Sequence, residues 1–149
     1  MSDSQRSLIE TEIAPGLTSK WVQDGSLLLI TFQTITRQNN AAWIAFMEET
    51  LRHWDEGRPF SYILRAEEIS LTGMSSYIRE SAKTVAKYAA AFPGGVAIVL
   101  RHSLLSDAVG LFLRMLPSGK RQRRLFTSVE DALAWLETLE KAPLATPPR

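Results

Sequence analysis

Residues 17–32, LTSKWVQDGSLLLITF, decide how this chain is read. Two strand-like runs flank Asp24-Gly25, a dipeptide suited to the positive φ angles of a tight hairpin turn. The second run, SLLLITF, is almost continuously apolar, which predicts a strand buried on both faces. A strand of that kind belongs inside a sheet covered by helices. Helices are therefore expected on its carboxyl side.

They follow at once. Asn39 and Asn40 offer caps, and Trp43, Phe46, Met47, Leu51 and Trp54 recur at three- and four-residue steps along one helical face. DEGRPF (55–60) closes that helix and FSYILRA (60–66) predicts the next strand. A second helix carries Ile78, Ala82, Val85, Ala89 and Phe92 on one stripe, and its alanines suit close packing on a sheet. VAIVL (96–100) predicts a fourth strand, LLSDAVGLFLRML (104–116) a third helix, and RRLFTS (123–128) a short fifth strand. The last helix opens at Ser128, with Asp131 three residues on as a capping box; Val129, Leu133, Leu136 and then either Leu139 or Glu140 continue its face, with Trp135 beside it.

The expected order is β-β-α-β-α-β-α-β-α: an α/β fold with a mixed, mainly parallel sheet that starts with a β-hairpin. The expected domain is 17–140, with a tail at 1–16 and a disordered, proline-rich tail at 141–149.

Composition bounds the function. The chain has 149 residues, 45% hydrophobic and 22% charged, with net charge +1. A single domain of that length buries enough surface to fold without staples. The charge is too balanced for a dedicated nucleic-acid or membrane-surface protein. With no cysteine, disulfides and thiol chemistry are out. No apolar run approaches ~18 residues and no secretory leader opens the chain, so the expectation is a cytoplasmic protein with no integral membrane association. GKRQRR (119–124) is the one basic cluster; without interleaved aromatics it reads as a solvated loop that blunts a sheet edge.

In open parallel sheets, ligands and partners gather beyond the carboxyl ends of the strands. Arg65, Glu68, Arg101 and His102 fall there, and they form the candidate binding rim, unless the arginines are spent on Glu67, Glu68 or Asp107 as solvated ion pairs. Thr72, Ser75 and Ser76 fall at the start of the second helix, either as simple caps or as sites for a phosphate. Arg79 lies one helical turn on, where it can reach a phosphate; Glu67 and Glu68, just upstream, would repel it. His102 has Ser103 and Asp107 near it in sequence, but no G-x-S-x-G elbow supports a triad. Two histidines on separate elements make a poor metal set, and no Walker or G-x-G-x-x-G loop is present. The expectation is a non-enzymatic protein with neither cofactor nor metal. Of the tryptophans, Trp43, Trp54 and Trp135 read as core, while Trp21 facing outward from the hairpin would make a homodimer patch.

The element order over 17–140, with VAIVLRHSLLSDAVGLFLRML and then LFTSVEDALAWL, resembles the STAS domain of anti-sigma-factor antagonists. It is more closely similar to divergent STAS-like and CRAL-TRIO-like proteins of bacteria. The STAS resemblance implies a regulatory module whose helix start after the third strand is phosphorylated to switch a protein partner. The matching place is RAEEISLTGMSSYI (65–78), where Thr72-Gly73 fits the pattern in part and Met74 interrupts it. The CRAL-TRIO resemblance implies instead a carrier or sensor of a lipid or other apolar small molecule, held among residues such as Phe46, Met47, Phe112 and Met115.

Overall fold

The computed structural model describes residues 10–22, 27–55, 57–66, 76–100 and 121–141, the side chains of 76–79, 140 and 141 excepted. Along the chain these form β1 (Glu10–Ala14), β2 (Leu17–Val22), β3 (Leu27–Phe32), α1 (Arg37–Arg52), β4 (Ser61–Arg65), α2 (Ser76–Ala89), β5 (Gly94–Val99), β6 (Arg121–Phe126) and α3 (Val129–Lys141). The strands make one six-stranded sheet in the order β1-β2-β3-β4-β5-β6. The first three alternate in direction, and β3 to β6 run parallel. The α/β class and the mixed sheet are as the sequence predicts.

Three differences have physical causes. A further strand, β1, pairs with β2 where the sequence reads as a tail, because ETEIA is polar enough to lie at a sheet edge with Glu10, Thr11 and Glu12 exposed. The described part of the basic cluster, residues 121–124, is strand rather than solvated loop, and its Arg121 is 7% exposed. Neither Asn39 nor Asn40 is the N-cap residue of α1: both lie within it and are buried, Thr36 is the N-cap, and Asn39 completes the capping box from the third helical position. The expected helix at 104–116 lies outside the described residues. So does the Asp24-Gly25 turn, although the register from Leu17↔Phe32 to Val22↔Leu27 centres the connection on that pair.

Side-chain alternation divides the strands between two cores. Leu28, Ile30, Phe32, Tyr62, Val96 and Ile98 pack with Trp43, Met47 and Leu51 of α1 and with Val85, Ala86 and Ala89 of α2. Leu27, Ile63, Ala97 and Val99 face the other way, onto Ala132 and Leu136 of α3. Parallel strands added in chain order place successive right-handed crossovers on one face, which is why α1 and α2 share a layer. Gly95 sets how closely α3 lies: a Cβ there would stand 2.5 Å from Leu139 Cδ1 and 2.9 Å from Leu136 Cδ2. Ser128 Oγ accepts the Asp131 N–H at 3.1 Å, the cap expected for α3. Among the described residues no helix is long and apolar enough to cross a membrane.

Candidate functional site

The carboxyl ends of β3 to β6 and the β1–β2 turn at Pro15-Gly16 share one end of the sheet. Gly16 has φ +80°, and a Cβ there would overlap the Thr34 hydroxyl, so the turn needs glycine twice over. Its carbonyl accepts the Gln33 N–H at 2.8 Å. The chain then turns into α1 through a reciprocal cap. Thr36 Oγ1 accepts the Asn39 N–H at 3.0 Å, and Asn39 Oδ1 accepts the Thr36 N–H at 2.9 Å. Asn39 Nδ2 donates to the Thr34 carbonyl at 2.6 Å, and Asn40 Nδ2 donates to the Thr36 carbonyl at 2.8 Å. Asn40 Oδ1 and, one turn on, Trp43 Nε1 are buried with no hydrogen-bond partner. These amides and hydroxyls order the backbone of the rim.

Arg65 ends β4, half-buried, between Thr31 and Val99 in the ladder. Since Leu64 joins the core under α1 and α2, alternation points Arg65 to the α3 face. That separates it from α2, whose start the sequence grouped with it. Ser76 is the first described residue of α2. Glu68, Thr72, Ser75, Arg101 and His102 lie outside the described residues, as do Phe112 and Met115. Met47 is fully buried as core and Phe46 is half-buried beside it. His53 stands exposed at the C-cap of α1, its Nδ1 3.6 Å from Glu49 Oε1. Among the described residues, no group of three or more histidine or acidic side chains could hold a metal ion.

The opposite end of the sheet holds a site that sequence reasoning missed. Arg121 opens β6 and turns inward. Its Nη1 donates to the carbonyls of Phe60 (2.7 Å) and Phe92 (3.1 Å), and its Nη2 donates to that of Gly95 (3.4 Å). One guanidinium thus ties the residue leading into β4, the end of the β4–β5 connection and β5 itself, 5.4 Å from the Tyr62 ring centroid and 5.8 Å from that of Phe60. Burial pushes the Tyr62 phenol above its ordinary value, and Arg121 and Arg123 pull against that rise. Burial also lowers Arg121, while Tyr62 offsets part of the effect.

From Phe60 the aromatic contacts continue outward. Trp54 meets Phe60 edge-on at 5.1 Å, and Trp21 stacks on Trp54 at 5.8 Å with planes 7° apart. Exposed Arg58 lies 4.2 Å over the Trp54 ring. Trp21 therefore turns onto the end of α1. The signal for this end was present in the sequence as Trp21, Trp54, Phe60 and the GKRQRR cluster, but nothing in their spacing joins them.

Comparison with models of known protein families, with curated proteins and with solved structures finds no match to this chain.

Proposed function

We propose that the protein is a regulatory, protein-binding module with a STAS-like domain, acting in the cytoplasm, and that the start of α2 is its control point. The observation that carries this reading is that α2, described over Ser76–Ala89, follows the carboxyl end of β4. In sequence, Thr72 and Ser75 fall between β4 and the described part of α2, which is where the STAS resemblance implies a phosphorylated helix start. A phosphate at such a place gains from free backbone N–H groups and from the helix dipole. The alternation of strand and helix from β3 to β5 supports the STAS-like reading. Arg65, Glu68, Arg101 and His102 complete the proposed docking rim, with Arg65 at its α3 side.

The test is the mass of the protein purified from its own host. A phosphoryl increment mapped to 70–76, and lost in Thr72→Ala/Ser75→Ala/Ser76→Ala, supports the switch. An unmodified chain under every growth condition sinks it. A non-covalent lipid, released on denaturation, would favour the carrier instead.

A further inference from the structure

The two edges of the sheet carry opposite charge. At one edge β1 exposes Glu10 and Glu12. At the other, β6 exposes Arg124, with Arg123 half-buried beside it. Among the described residues each of these strands is paired on one side only. A strand edge with open N–H and C=O groups is a template for another strand. Charge then decides which strand it accepts, because like charges directly opposite destabilise a pair and opposite charges stabilise it. Two β6 edges would oppose arginines, and two β1 edges would oppose glutamates.

The register sharpens this. Glu10 is opposite Lys20, Lys20 opposite Leu29, Leu29 opposite Ile63, Ile63 opposite Ala97, and Ala97 opposite Arg124. Glu10 and Arg124 therefore end the same row, on the same face and at the same height along the strands. Because β1 is antiparallel to β2 and β2 to β3, β1 also runs in the direction of β6. A second copy moved sideways by one sheet width sets its β1 parallel to the first copy's β6, with Glu10 directly opposite Arg124 and Glu12 on the diagonal.

From this we infer that copies of the chain associate head to tail, β6 of one against β1 of the next. Such a contact is heterologous and, in a twisted sheet, does not close on two copies. The irregularity between Glu12 and Ala14 confines pairing to the first residues of β1. The contact is accordingly small, and association is weak and concentration-dependent.

The experiment is sedimentation velocity of the full chain across concentration and salt. The wild type is expected to grow beyond a dimer as concentration rises and to shrink as salt screens the pairs. Glu10→Lys/Glu12→Lys and, separately, Arg124→Glu each weaken self-association by about tenfold or more. Mixing those two variants in equal amounts restores it, since each then finds a complementary edge on the other. Far-UV circular dichroism checks the fold; if a reversal disturbs it, Glu10→Gln/Glu12→Gln and Arg124→Gln replace it with a smaller expected loss. A wild type that stays monomeric at its highest soluble concentration overturns the inference. So does assembly that stops at a dimer, or mixing that restores nothing.

Discussion

The two ends of this sheet solve the same problem with different chemistry. Each must satisfy backbone groups where strands stop and helices begin. At the carboxyl end the answer is local and neutral: Thr36, Asn39 and Asn40 bond within a few residues of themselves. At the amino end the answer is distant and charged: Arg121 reaches carbonyls 61, 29 and 26 residues away in sequence. Local amide caps make the described part of that rim, at the start of α1, depend on one short segment. A buried guanidinium makes the other end depend on three segments at once, so that end should fail cooperatively.

The sharpest break in the comparison is Arg121→Ala. It strands three carbonyls that now accept charge-assisted bonds, and the expected cost is roughly 3–5 kcal/mol of stability in urea unfolding. Arg121→Lys should recover little, because an ammonium cannot span the same fork. A cost below that of the rim variants would remove the contrast between the ends.

At the rim, Asn39→Ala leaves the Thr34 carbonyl and the Thr36 N–H without their partners. Its expected cost is about 2 kcal/mol by the same measurement. Thr36→Ala should cost about 1 kcal/mol, and Thr36→Ser nearly nothing, since serine keeps the capping oxygen. Arg58→Ala, on the exposed face of Trp54, should cost no more than about 1 kcal/mol.

The smallest effect appears only in alkali. The Tyr62 phenol ionises above its ordinary value of 10.0 when folded. Above about pH 10 the unfolded chain releases that proton while the folded chain keeps it, so stability falls as pH rises. Tyr62→Phe should flatten that fall, read as urea midpoints from pH 8 to 11. An unchanged slope would mean that the Tyr62 proton is not what the alkaline loss reports.

The legibility of the two ends differs as their chemistry does. SLLLITF, the Trp43–Met47–Leu51 stripe and the Ser128 cap are local patterns, and each appears where its periodicity puts it. Thr36 was missed because threonine and asparagine are both cap formers, and a reading by residue type chose the wrong one of two neighbours in the same turn. The α3 face was legible as a stripe, but its fully buried residues are Ala132 and Leu136, and Gly95 meets the helix at Leu136 and Leu139. β1 escaped notice because an edge strand needs no apolar alternation.

Local sequence pattern suffices for the α/β class, the hairpin pairing of β2 with β3, and the apolar faces of α1 and α2. All of these follow from hydrophobic period and turn chemistry within a dozen residues. Tertiary structure alone decided that Arg121 is interior, that Trp21 lies on Trp54, and that Glu10 and Arg124 share a row across six strands. The physical reason is that burial of a charge and lateral register depend on which segments become neighbours. That choice is made by packing over the whole sheet, and no local pattern of residues encodes it.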